Sequence, residues 1–208
     1  MNTDVQFAFA GNYQVLLGVI IFLAILILPS IRSIGQTELG LVSKRFSFKK
    51  LSEGNPIAFR GEAGYQADLL MPGFRFKFWV LYGVRKYPWV QIPAGEIGVV
   101  IAQIGQPLPT GAKSAAYKPE FGNFSDVTKF VASGGQKGVQ RPVLPPGSLV
   151  PIHPVAFLVI TKAKIFGMPV DPDIQRRISR ESQGLSPTAF GLTPQQLEVV
   201  RIEPKPHG

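Results

Sequence analysis

Residues 15–28 read VLLGVIIFLAILIL, an unbroken apolar run inside a longer stretch that carries no charge between Asp4 and Arg32. Twelve of these fourteen residues (Val15, Leu16, Leu17, Val19, Ile20, Ile21, Phe22, Leu23, Ile25, Leu26, Ile27 and Leu28) are Leu, Ile, Phe or Val. At about −0.3 to −0.6 kcal/mol each in mid-bilayer they favour insertion by roughly 4–7 kcal/mol. Extended through Tyr13 and Ile31, the run is long enough to span. A buried core helix and the apolar part of a signal peptide share this composition. A cleaved signal, however, opens with positive charge and closes on small residues, whereas here Asp4 precedes the run and Leu28-Pro29-Ser30-Ile31-Arg32 ends it. We therefore read residues 1–31 as an N-terminal membrane anchor, either a single span or a re-entrant hairpin kinked at Pro29.

The formal charge of +9 is unevenly placed. Residues 32–86 hold ten Lys/Arg against four Asp/Glu, and residues 87–208 the remaining twelve and eight. Arg32, Lys44, Arg45, Lys49, Lys50, Arg85 and Lys86 thus form a basic, membrane-surface set, each cation contributing on the order of 1 kcal/mol beside an anionic leaflet. Their absence from the N-terminal flank places the body in the cytoplasm by the positive-inside bias. Phe46, Phe48, Trp79 and Trp89 are candidates for the headgroup level, with core burial the alternative for each. Nucleic acid is a poor match to this charge distribution. Cysteine is absent, which removes disulfides, thiolate metal sites and thiol nucleophiles.

The body repeats itself. TELGLVSKRF at 37–46 and GEIGVVIAQIG at 95–105 share a Glu-apolar-Gly-apolar-Val core, and each precedes a second shared pattern, GYQADLLMPGFRF at 64–76 and GVQRPVLPPGSLV at 138–150. Pro72-Gly73 and Pro146-Gly147 suit type II turns with strands on either side. Glu38 and Glu96 occupy matching places and are expected to bond backbone or basic groups where units meet. Phe74, Phe76 and Phe78 alternate with Arg75, Lys77 and Trp79, a strand period that predicts an inward Phe face. Residues 106–137 interrupt the second copy, and Ser125 is expected to cap a short helix that ends at Gly134-Gly135. Val155 to Phe166 reads as strand, residues 167–194 as a polar linker carrying Pro169, Pro172, Pro187 and Pro194, and Gln196 to Ile202 as a strand lacking a partner, as if a further domain began there. The expected fold is α+β and mostly β: an anchor over 1–31, a β-rich domain of repeated strand-turn units over 32–168, and 169–208 as linker and start of another β domain.

The Glu-apolar-Gly-Val-Val strand after Ile92-Pro93-Ala94-Gly95, the Leu-x-Pro-Gly turns and FVASGGQKGVQRPVLPPGSLVPIHP at 130–154 resemble the SPFH (band 7, flotillin-like) family, most closely its bacterial flotillin-like branch, over roughly residues 10–168. That resemblance implies membrane-bound scaffolds that pack side by side into large homo-oligomeric rings or cages and organise lipid microdomains and their proteins. It also implies a second β domain, of which residues 169–208 are expected to hold only the start, and a long coiled coil after it.

Catalytic constellations are hard to find in the sequence. His153 and His207 are far apart, and Ser133-Gly134-Gly135-Gln136-Lys137-Gly138 lacks phosphate-loop spacing. Asp171 and Asp173 flank Pro172 in a polar linker. We expect no enzyme activity, cofactor or metal. The expected partners are anionic lipid headgroups, other copies of the chain and membrane-protein clients. The competing reading is an anchored adaptor or accessory subunit of a membrane protease or transporter.

Overall fold

The computed structural model describes residues 3–52, 54–162, 164–170 and 187–199. Helix α1 runs unbroken from Thr3–Ile27, and a 3₁₀ turn at Leu28–Ser30 ends it with Pro29 inside that turn. The rest is mostly β: β1 (Ile31–Ile34), β2 (Glu38–Lys44), β3 (Ile57–Ala58), β4 (Gly64–Leu70), β5 (Gly73–Phe76), β6 (Tyr82–Pro88), β7 (Val90–Gln91), β8 (Val99–Ala102), β9 (Gly138–Val139), β10 (Leu149–Val150), β11 (Phe157–Ile160) and β12 (Ile165–Phe166).

Strand pairing follows the sequence repeat. In the first half, β2 lies between β4 and β6 while β1 pairs separately with β5; in the second, β8 lies between β9 and β11 while β7 pairs separately with β10. Ile34 faces Gly73 across the first ribbon, and the Gly147 amide donates to the Ile92 carbonyl in the second. Gln66 and Gln140 each donate twice through Nε2, to the carbonyls four and two residues before them. Gly40 and Gly98 fill the same niche. A Cβ on Gly40 would stand 3.1 Å from Ile34 Cδ1 and 3.0 Å from Leu70 Cβ; one on Gly98 would stand 2.6 Å from Ile92 Cδ1 and 3.2 Å from Leu144 Cβ. The shared glycine therefore lets a buried isoleucine cross over the strand.

The two Pro-Gly sites are not alike in detail. Pro146-Gly147 is a closed turn, with Gly147 at φ +76 and the Ser148 amide bonded to the Pro145 carbonyl at 3.3 Å. Gly73, at φ +115, instead opens β5. Neither site makes a hairpin, because the chain changes partners there: β4 belongs to one sheet and β5 to another.

Both halves share one core that includes Leu41, Ile57, Val100, Phe124, Phe130 and Phe157. Residues 106–137 contribute to it rather than decorating it. Phe130 sits 4.8 Å from the Phe121 ring and 5.0 Å from the Phe157 ring. Helix α2 (Val127–Ala132) is capped by Asp126, whose Oδ1 accepts from the Lys129 amide at 2.9 Å, not by Ser125, whose hydroxyl is committed to the Gly122 carbonyl. The helix ends in a Schellman arrangement: the Gly134 amide donates to Val131 and the Gly135 amide to Phe130.

Three further expectations are corrected. Val155 to Phe166 is a hairpin, since the Thr161 hydroxyl and amide both bond the Lys164 carbonyl and turn the chain between β11 and β12. Pro194–Leu197 is a 3₁₀ turn closed by the Gln196 side chain on the Thr193 amide, and Leu197 is buried against Val99 and Ile160. The segment also has a partner, through a bridge between Glu96 and Glu198. Residues 171–186 and 200–208, including Asp171, Asp173, His207 and the rest of the expected last strand, lie outside the described residues.

His153 ties the halves together. It is fully buried, its Nδ1 accepts from the Val155 and Ala156 amides, and its Nε2 therefore carries the proton and donates to the Gln66 carbonyl of β4 at 3.0 Å. Burial pushes its pKa down from 6.5 to about 4.

Candidate membrane-facing surface

Only 6% of the Tyr13–Ser30 window is buried within the chain, and the body covers almost none of it. Val15, Leu16, Leu17, Val19, Ile20, Ile21, Phe22, Leu23, Ile25, Ile27 and Leu28 are exposed, and Leu26 is half-buried. A water-soluble core helix would bury one side; this one is long and apolar enough to cross a membrane and is compatible with an anchor.

The helix meets the body at Ser30, which is completely buried. Its hydroxyl donates to the Leu26 carbonyl at 2.8 Å and accepts from the Trp79 amide at 3.2 Å, and its carbonyl accepts from the Lys77 amide at 2.9 Å. Two of these bonds, from the Trp79 and Lys77 amides, fix the helix exit against the segment before β6, while the third holds the hydroxyl to the helix end. The Trp79 indole N–H beside this joint is buried with no acceptor among the described residues.

Around the joint the surface is apolar and basic. Phe74 and Phe76 are 81% and 61% exposed, which overturns the inward Phe face. The reason is topological: among the described strands β5 pairs only with β1, outside both four-stranded sheets, and no second layer of the described residues covers its phenylalanines. Phe46 and Phe48 are exposed too, and the Arg45 amide bonds the Leu81 carbonyl, bringing their loop beside the Trp79 turn. Trp89 is held back, its Nε1 donating to the Glu38 carbonyl at 3.0 Å.

The basic set divides. Arg32 is in β1, while Lys44 and Lys49 reach the carbonyls of Gly61 and Arg60 and so line the loop that carries the exposed Lys50. Arg85 and Lys86 are exposed on β6, opposite Leu41 and Gly40, three and four residues past Tyr82. Lys86 pairs with Glu38 at 3.6 Å. Charge counting along the sequence could not separate these two from the rest; strand register does.

Glu38 and Glu96 each accept a backbone N–H, from Gly35 and Lys162 respectively, both at 3.1 Å. Lys162 also bonds Glu198, and that hydrogen bond raises its pKa. At Glu62 the pKa is lowered, mainly by the backbone N–H groups of Glu62 itself and Arg60.

No family profile, curated protein or solved structure matches the chain.

A half-open apolar cavity of about 710 Å³ lies between the 51–56 loop and β8, bordered by Leu51, Ile101, Leu158 and Val170. Its cation, Lys137, is bonded to the Gly54 carbonyl at 3.1 Å. Among the described residues no group of three His, Cys, Asp or Glu could hold a metal.

Proposed function

We propose that this chain is a membrane-anchored scaffold, with residues 1–31 spanning the bilayer and the body on the cytoplasmic face, and that copies assemble side by side into large rings or cages that organise lipid microdomains and membrane proteins. The observation that carries the reading is the Ser30 joint, which links an uncovered apolar helix directly to a rigid β body. An anchor on a flexible tether would leave the body free to turn; a joint bonded on both sides gives every copy the same orientation on the membrane, as a regular assembly requires. Further support comes from β6, a seven-residue strand at the end of its sheet whose outer edge pairs with no strand among the described residues. The family resemblance points the same way.

The role is non-catalytic in this proposal. His153 has all its ring nitrogens committed, and the cavity at Leu51 and Ile101 is bordered by no described acid or histidine. The adaptor alternative draws on the same open edge, with a client strand in place of another copy. Gentle detergent extraction of the full chain, followed by mass measurement, separates them. One large uniform particle without other subunits supports the scaffold; a small particle that always carries a client sinks it. Release from vesicles by alkaline carbonate would remove the anchor itself.

A further inference from the structure

We propose that the β1–β5 ribbon lies in the membrane interface, its phenylalanine face entering the acyl boundary while Arg32 and Arg75 clasp the phosphate of an anionic phospholipid. This deepens the membrane reading and rests on residues 1–31 being a spanning anchor.

Length fixes the ribbon's depth. The Tyr13–Ser30 window has 18 residues, about 27 Å of helix, close to the ~30 Å of hydrocarbon in a bilayer. Ser30 then sits at the hydrocarbon edge, and β1 begins at the next residue without a linker. Along the strand the Ile31–Phe76 pair lies about 3 Å beyond it, the Arg32–Arg75 pair about 7 Å and the Ser33–Phe74 pair about 10 Å, upper limits on depth that hold for any tilt of the ribbon. A ribbon inclined into the membrane plane keeps all three pairs inside a headgroup layer of roughly 5–8 Å, with its phenylalanine face toward the acyl chains.

Pairing gives the ribbon two unlike faces. Ile31, Ser33, Phe74 and Phe76 share one face, with Ile31 opposite Phe76 and Ser33 opposite Phe74. The other face carries Arg32 directly opposite Arg75. Like charges at opposed positions destabilise a strand pair, and among the described residues neither arginine has an acidic partner. Arg75 is already oriented, since its Nε and Nη2 donate to the Met71 and Pro72 carbonyls at 3.1 and 3.2 Å. Three of its five N–H groups remain to donate. Two arginines opposed in register on one face at phosphate depth supply the donors for one phosphate between them. An anionic phospholipid fits better than a zwitterionic one, because the latter brings its own cation to the same place. A second copy of the chain fits less well, because the patch runs through Ile31, opposite Phe76, toward the exposed Leu28 just after α1.

The chain has no cysteine, so single nitroxides can be attached to Ile20→Cys, Phe74→Cys and Phe76→Cys variants of the full chain in phosphatidylglycerol/phosphatidylcholine nanodiscs. The proposal expects labels at 74 and 76 to collide with oxygen more than with an aqueous nickel chelate, as the label at 20 does. Native mass spectrometry from the same discs should find retained phosphatidylglycerol, lost in Arg32→Gln/Arg75→Gln and kept in Lys113→Gln/Arg141→Gln, which removes the same charge elsewhere. Aqueous collisions at 74 and 76 with a lipid-exposed label at 20 would overturn the ribbon while leaving the anchor. An aqueous label at 20 would overturn both. Dipolar broadening between labels at 74 would assign the face to a second copy, and unchanged lipid retention in the double arginine variant would remove the clasp.

Discussion

The imidazole of His153 donates from Nε2 to the Gln66 carbonyl 3.0 Å away, across 87 residues of sequence, and this bond joins the two repeats inside the core. With Nδ1 accepting two amides, the ring is bound in its neutral form. Burial lowers its pKa to about 4 from 6.5. In the unfolded chain the ring takes up a proton as pH falls below 6.5, whereas in the folded chain it resists until about 4. Stability is therefore fully present above pH 6.5 and declines toward pH 4, by about 3 kcal/mol for the whole interval. Thermal unfolding of the detergent-solubilised chain between pH 4 and 8 reads this directly. His153→Ala should unfold earlier at pH 7, leaving two amides and a carbonyl unpaired at about 1–3 kcal/mol each, and should lose most of the slope in this window. A slope unchanged in that variant would assign it to other groups.

Gly40 and Gly98 offer a paired test of the repeat. Adding a Cβ to Gly98 forces contact with Ile92 Cδ1 at 2.6 Å, tighter than the closest contact at Gly40, 3.0 Å from Leu70 Cβ. Gly98→Ala should cost about 1–3 kcal/mol by overpacking, and Gly40→Ala less. Because the clash is with the terminal methyl, Ile92→Val in the Gly98→Ala background should recover part of the loss. Urea unfolding of the three variants decides it; equal losses at both glycines would show that the close approach to Ile92 does not set the cost.

How much of this was legible in the sequence depended on range. The long apolar helix near the N-terminus was, because fourteen consecutive apolar residues need no tertiary knowledge to read. The duplicated strands were too, since the residues that repeat include Gln66 and Gln140, whose matching local bonds any copy must keep. Alternation at Phe74 and Phe76 told the strand period correctly but not the face, because burial depends on what packs above a ribbon, and β5 leaves its sheet at Gly73. The aromatic cluster of residues 121–130 escaped for the opposite reason. Phe121, Phe124 and Phe130 follow no regular period, and Phe157, against which Phe124 and Phe130 pack, lies at least 27 residues downstream. Their signal was composition alone: three phenylalanines inside a supposed surface insertion.

That cluster carries its own expectation. Phe130 is fully buried, packs on three other phenylalanine rings and accepts the Gly135 amide through its carbonyl. Phe130→Ala should cost about 3–5 kcal/mol, the range for removing a buried aromatic, whereas Phe130→Leu should recover much of it. A loss under about 1 kcal/mol on urea unfolding would return residues 106–137 to the status of a peripheral insertion.

Ser30 sets the last expectation, because it tests orientation rather than stability alone. The hydroxyl bridges the Leu26 carbonyl of the helix and the Trp79 amide of the body. Ser30→Ala removes that bridge but keeps the Lys77 bond to the residue-30 carbonyl, so the chain should still fold, at a cost of about 1–3 kcal/mol for the unpaired Trp79 amide. What should change more is the spread of angles between helix and body. Nitroxide pairs at Ile20→Cys and Lys113→Cys in nanodiscs should give a narrow distance distribution when the serine is present and a broad one in the Ser30→Ala background. Ser30→Thr keeps the hydroxyl and should preserve the narrow one if its methyl is accommodated. An equally narrow distribution in Ser30→Ala would mean that packing alone holds the joint, and the argument that every copy meets the membrane in one orientation would lose its hydrogen-bonded basis.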